Sequence, residues 1–415
     1  MYRGINKVKA IKLSNNLKLI YKKSESELTS ICISLNAGAG VDGEKKGVAH
    51  AVEHMVYKGT GKRTEAKINE ELSSIFGFQN AMTNYPYVIY YGTLLGEDLE
   101  NGVELFSDIL LNPKFDERGF NEEMAVIKEE LEEWDEEADQ FCEDQLFYNT
   151  FNKRRIKNPI IGTKESLDNL TIEDLKRFYE ENYFPENTSI SVITSVDFDV
   201  VKDIFEKYFG AWKSKAEIKT YDCNEIEYEK IEMNNIQVAK REGMKNARVQ
   251  IIFPLNDLSF KEINDFRIFN QYFGEGVNSV LFDTLRTKNS LVYDVLTRVA
   301  HENYLKMYKI TFTTAKENVD KAIKLVMDVT AEIKNKESLV DEKQLKSLIK
   351  SYKLKKLFRE EQSIITAKEL ATYDTMFGDY NIYADEINEI DKVTQMDILN
   401  AAKKVFKSSA IQVVC

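Results

Sequence analysis

The sequence predicts an α+β fold of two similar domains, each a mostly antiparallel sheet packed against helices. Three observations predict it. Residues 99–108 match residues 319–328, with Leu99, Val103, Leu105 and Asp108 in step with Val319, Ile323, Leu325 and Asp328. Residues 170–175 resemble residues 393–398 at nearly the same offset, and two segments in one order at one spacing mark an internal repeat. Each half also runs through the same plan of short alternating strands, a helix, further strands and long amphipathic helices.

In chain order, residues 30–35 and 247–253 alternate as strands that open each half. Residues 47–56 are rich in helix formers, and 87–91 and 307–312 read as further strands. Helical periodicity covers 97–109, 122–137, 318–333 and 341–359. Thr171 and Thr394 stand as N-caps before the last helix of each half. A chain of 415 residues is too long for one ordinary core and suits two domains of about 200 residues. The expected division is residues 1–212, a polar linker at 213–229, and residues 230–415.

Composition narrows the function classes. A hydrophobic fraction of 43% argues against disorder. No run of 18 apolar residues predicts a membrane-spanning helix, and residues 1–13 lack the apolar stretch of a secretory signal, so a cytoplasmic location is expected. The four cysteines are scattered, which fits a reducing compartment and excludes a cysteine-built metal site. A net charge of −12 makes nucleic acid an unsuitable partner, because a polyanion needs a basic footprint.

The chain has three histidines, and two of them, His50 and His54, flank Glu53 within five residues. At 3.6 residues per turn, positions 50, 53 and 54 share one helix face. His50 and His54 then offer two imidazoles to one zinc ion, and Glu53 sits one residue off the ligand row, placed to reach water rather than metal. Zinc needs a third protein ligand. His301 lies in the other half and reads as a surface or interface residue. The acidic helix 122–137 offers Glu123 and Glu130, seven apart and on one face, and periodicity does not choose between them. Acidic runs of this kind are ordinarily solvated faces.

Here a family resemblance enters. The order His-x-x-Glu-His is the inverted zinc motif, and the surrounding residues 47–61 resemble the pitrilysin/insulinase peptidases, closest to their short, processing-peptidase type. The resemblance implies that Glu130, 76 residues after His54 and closing Val126-Ile127-Lys128-Glu129-Glu130, is the third ligand. It makes Glu123 a carboxylate that orients the ligands. Asn80, Ala81 and Thr83 resemble the family's strand beside the active site, whose Asn and backbone hold substrate. The segments 159–163, 183–187 and 274–282 match further landmarks, and Arg286 and Tyr293 match the family's substrate-binding pair. The family's usual His before Pro159 is replaced here by Lys157 and Asn158.

The resemblance implies a zinc-dependent endopeptidase acting on peptides or unfolded segments inside a dimeric chamber. One zinc ion per chain is expected, because the second half has no such motif near residues 270–272. Glu53 is expected to be the general base, and Tyr293 a donor to the oxyanion. A homodimer is the simplest assembly, with a heterodimer on an inactive paralogue as the alternative; Arg286 and Tyr293 would serve the partner's zinc. Two other readings are a dedicated maturation protease for one leader or bacteriocin-type peptide, and a non-catalytic scaffold subunit.

Overall fold

The structure is a computed structural model that describes residues 8–214, 231 and 235–415. The described residues group into two compact units. One draws on residues 8–131, 159–214 and 358–383, the other on residues 132–158, 231, 235–357 and 384–415. From residue 215 onward, the expected linker at 213–229 lies outside the described residues, as does Cys223.

In the first unit, β1 (Lys9–Lys12), β2 (Lys18–Lys23), β3 (Leu28–Leu35), β4 (Phe76–Thr83), β5 (Val88–Leu95) and β6 (Thr188–Thr194) form one sheet in the order β1-β2-β6-β3-β5-β4. All neighbours are antiparallel except β2 and β6. The helices of the first half of the sequence are α1 (Val48–Met55), α2 (Glu65–Ile75), α3 (Leu99–Leu111), α4 (Glu117–Glu136), α5 (Ala138–Thr150), α6 (Lys164–Asp168), α7 (Ile172–Asn182) and α8 (Phe198–Phe209). In the second unit, β7 (Asn235–Ala239), β8 (Asn246–Pro254), β9 (Val292–Glu302), β10 (Leu305–Ala315) and β11 (Ala410–Val414) pair in the order β7-β11-β8-β10-β9, with β7 and β11 parallel. The helices of the second half are α9 (Phe260–Phe273), α10 (Val280–Phe282), α11 (Val319–Asn335), α12 (Glu342–Glu360), α13 (Ser363–Phe377), α14 (Asn381–Asn388) and α15 (Gln395–Val405).

Leaving out β1, the two sheets have the same strand order and the same single parallel pair, so the repeat read from sequence is a repeat of topology. Its local signals are physical. Thr171 and Thr394 each accept a hydrogen bond from the backbone three residues on, and Asp174 and Asp397 return it, closing a capping box before α7 and α15. The matched aspartates differ in setting. Asp108 is buried and holds Thr60 at 2.7 Å and Arg63 at 2.8 Å, whereas Asp328 pairs at the surface with Lys324 at 2.6 Å.

Two helices are placed against the order of the chain. α5, from the first half of the sequence, packs on β8 and β11, while α13, from the second half, packs on β3, β5 and β6. On β3, Ser30, Cys32 and Ser34 face α13, so by strand alternation Ile31, Ile33 and Leu35 face the opposite layer. Both sides of β3 are covered, and every residue from Thr29 to Leu35 is buried. The α13 seam is unusually polar. Ser363 meets Ser30, Thr375 meets Ser34 at 2.8 Å each, and buried Asp374 accepts from Ser189 and pairs with Lys18. No described helix is long and apolar enough to cross a membrane.

Candidate metal centre

The centre is built on α1. Gly47 begins the helix with φ +87°, and a Cβ there would lie 2.4 Å from the Ile161 carbonyl oxygen. Only glycine meets both demands without displacement. Asp42 accepts hydrogen bonds from the Gly47 and Ala49 amides at 2.8 and 3.0 Å, which satisfies the helix N-terminus. Val48, Ala49, Ala51, Val52 and Met55 are buried and seat the helix.

This seating turns His50 and His54 to one side, with ring centroids 4.6 Å apart. α4 brings Glu130 to them: Oε1 lies 3.7 Å from His50 Nε2, and Oε2 lies 3.5 Å from His54 Nε2. One ligand atom from each of the three residues lies within 4.8 Å of the others. Two turns earlier on α4, Glu123 Oε2 stands 2.9 Å from His54 Nδ1. That contact assigns the proton to Nδ1 and leaves the Nε2 lone pair directed at Glu130. Lys58 holds the other Glu123 oxygen at 3.1 Å.

Tetrahedral zinc with ligand distances of about 2.0–2.2 Å sets its ligand atoms roughly 3.3–3.6 Å apart. The nitrogen-to-oxygen separations here are 3.7 Å to Oε1 of Glu130 and 3.5 Å to its Oε2, near that spacing though made to the two oxygens of one carboxylate, and the donor types are two imidazoles and a carboxylate. The set therefore fits zinc in its donor chemistry, with the three ligand atoms gathered within 4.8 Å of one another.

The electrostatics separate the groups by role. Burial, with a smaller contribution from His54, pushes His50 down to about 3, so its imidazole is neutral and available as a donor. For His54, burial opposes charge, but the hydrogen bond to Glu123 and the nearby Glu53 and Glu130 carboxylates outweigh it and raise the pKa. Burial raises Glu53 above the ordinary glutamate range, against the opposing hydrogen bond from Thr83. Glu123 is held below that range: burial works against its charge, but His54 and Lys58 prevail.

Glu53 is buried on α1, and the Thr83 hydroxyl donates to its Oε2 at 2.5 Å. Thr83 ends β4, the strand that carries Asn80 and Ala81. β4 is an edge of the first sheet among the described strands. Asn80 is exposed, and its side-chain oxygen accepts from the Ala81 amide at 2.9 Å.

With this geometry in hand, comparison with known proteins is decisive for the family. Residues 18–164 match the family described as insulinase (peptidase family M16), and residues 169–352 match the peptidase M16 inactive domain. The chain belongs to the insulinase family. A Bacillus subtilis relative described as an uncharacterized zinc protease is 22% identical, over 96% of this chain and 96% of its own. The mitochondrial-processing peptidase subunit beta of Dictyostelium discoideum is 30% identical over 49% of this chain and 44% of its own. A crystal structure of a protease from Helicobacter pylori shares the fold, with a TM-score of 0.86 at 20% identity, covering 99% of this chain and 100% of that one.

In the second unit, α10 runs into a π-helical turn, Asp283–Thr287, that carries Arg286. Its guanidinium lies 4.7 Å from the ring centre of Tyr293 and 5.0 Å from that of Phe282. Tyr293 is 83% exposed. His301 falls on β9 and is buried rather than at the surface, edge-on to Phe260. The hydrophobic alternation of β9 does not reveal this, because Ala300 and His301 are both buried in sequence. Asp42 and Lys58 carry no motif that marks them in the sequence. The Asn80-Ala81-Met82-Thr83 segment places Thr83 beside the active site by resemblance, but nothing in the sequence pairs its hydroxyl with Glu53.

Proposed function

We propose that this chain is a zinc metalloendopeptidase that hydrolyses peptides and unfolded segments. The observation that carries the reading is the convergence of His50, His54 and Glu130 with the buried Glu53 carboxylate one residue off the ligand row. A structural metal site has no need of a desolvated carboxylate beside its ligands, and a hydrolytic one does. Zinc held by these three residues supplies Lewis-acid activation of water and of the scissile carbonyl.

The remaining work falls to the chain's own groups. Thr83 holds the Glu53 carboxylate in place through Oε2, and that carboxylate takes the proton of the attacking water and delivers it to the leaving amine. Glu123 fixes the ring of His54 through Nδ1, and Lys58 fixes Glu123. A peptide laid along the outer edge of β4 meets backbone donors and acceptors that β5 does not use, with Asn80 and Ala81 beside it. An extended peptide backbone is what such an edge accepts, which favours unfolded segments over folded proteins.

In the same reading the working form is a homodimer. Arg286 and the exposed Tyr293 of one copy hold the peptide, and stabilise the carbonyl oxygen, at the centre of the other. The test is metal analysis together with digestion of unstructured peptides. Wild-type protein should hold one zinc, lose cleavage on chelation and regain it on adding zinc back. Glu53→Gln should keep zinc and lose cleavage, and His54→Ala should lose both. Cleavage that survives complete removal of metal overturns the reading.

A further inference from the structure

The second unit contains a cluster that no metal or catalytic role has so far absorbed. Lys355 on α12 donates through Nζ to Gln271 Oε1 at 2.8 Å and to Glu275 Oε1 at 2.7 Å, and Gln271 in turn donates to Glu275. Gln271 is buried in the last turn of α9, and Glu275 follows one turn on. Their spacing of four residues is that of His50 and His54.

The repeat makes the likeness specific. Gln271 and Glu275 stand 221 positions after His50 and His54, and Lys355 stands 225 after Glu130. The two matched segments of the repeat are offset by 220 and 223. α9 follows β8 and packs on α15 as α1 follows β3 and packs on α7, and α12 follows α11 as α4 follows α3.

We propose that the second unit keeps the frame of the His50–His54–Glu130 centre with a cation of its own chain built in. That cation is the Lys355 ammonium, standing between Gln271 and Glu275. The proposal rests on the reading of the first centre as a metal site. In the first unit two imidazoles and a carboxylate leave a place for an external cation. In the second, an amide oxygen and a carboxylate face an ammonium, so the charge is balanced without one. The same ammonium repels any divalent ion that approaches the two oxygens. It also lies at the C-terminal end of α9, where positive charge complements the helix dipole. Lys355 therefore ties α12 to α9 and keeps the second unit free of zinc. Since the side chains of Lys355 and Glu275 are 45% and 39% exposed, the tie is weak enough for the fold to survive its replacement.

The test restores the first centre's chemistry in the second unit of the full chain. The variant combines Gln271→His, Glu275→His and Lys355→Glu, and bound zinc is counted by elemental analysis after dialysis against a zinc buffer. One more zinc per chain than the parent is expected, both with the first centre intact and in a His54→Ala background. A parent that holds no zinc overturns the reading of the first centre, whereas a parent that holds one zinc beside a folded triple variant that also holds one overturns this proposal alone, so the two failures are distinct. A triple variant with unchanged circular dichroism and no added zinc overturns the proposal. If the triple variant does not fold, Lys355→Glu alone decides. Made in the His54→Ala background, it should gain melting temperature from zinc at concentrations that leave His54→Ala alone and His54→Ala with the exposed control Lys350→Glu unchanged, and an absent response overturns the proposal.

Discussion

The hydroxyl of Thr83, at the end of edge strand β4, donates to the carboxylate of Glu53 on α1 across 30 positions of sequence. This single bond joins the strand that would carry substrate to the group that would carry the proton. It stands in a buried setting, where a hydrogen bond to a charged group contributes about 1.5–3 kcal/mol.

Replacing Thr83 with Val preserves shape and removes the donor. The expected result is a fall in kcat of roughly 10- to 100-fold, the rate equivalent of that energy, with zinc content unchanged. Steady-state kinetics beside metal analysis checks it; an unaltered kcat would remove Thr83 from the site.

Glu123 should matter for affinity rather than for the chemistry itself. Its contact with His54 Nδ1 fixes both ring and tautomer, and loss of such a partner costs about 10- to 100-fold in metal affinity. Glu123→Ala is expected to weaken zinc binding by that factor in chelator competition. Glu123→Gln, which retains an acceptor, should lie between it and wild type.

Gly47→Ala tests how the centre is seated. A left-handed backbone and a Cβ 2.4 Å from the Ile161 carbonyl both oppose the substitution. A loss of about 1–3 kcal/mol is expected, visible as a lower denaturation midpoint. A midpoint equal to wild type would mean the turn relaxes freely.

Arg286 and Tyr293 give a test of assembly. Glu53→Gln chains and chains carrying Arg286→Ala with Tyr293→Phe should each be inactive alone. Mixed after dissociation and reassembly, they should recover activity, because each mixed pair holds one complete site. No recovery in demonstrably mixed dimers argues that the pair serves its own chain's centre.

His301 predicts an acid limb in stability. Burial, helped by the charges of Arg267 and Lys306, lowers its pKa to about 3, against roughly 6.5 in an unfolded chain. Between those values the unfolded form takes up a proton that the folded form refuses. Stability therefore falls as pH drops through this window, by at most about 1.4 kcal/mol per pH unit. Denaturation of His301→Gln across pH 7 to 4 should show a flatter slope than wild type.

Much of this architecture was legible in the residues. Strong period-two and helical patterns marked β3, β8, α3 and α11 to within a few residues. The four-residue spacing of His50 and His54 marked their shared face. Periodicity left Glu123 and Glu130 undivided for a physical reason: both face α1, one meeting His54 Nδ1 and the other the two Nε2 atoms. The Thr83–Glu53 bond was hidden because it depends on which strand lies beside α1. α13 was hidden because its contacts with the sheet run through Ser363, Asp374 and Thr375 as well as Leu370 and Met376, so no clean apolar stripe appears.

The placement of α5 and α13 bears on how the chain can be divided. A backbone cut between the halves, within 215–230, would strand each of these helices on the fragment whose sheet it does not cover. Expressed alone, either piece would display a naked β surface and aggregate. Produced together, the two pieces would trade helices and rebuild the native particle, which makes this protein a natural substrate for split-reporter engineering.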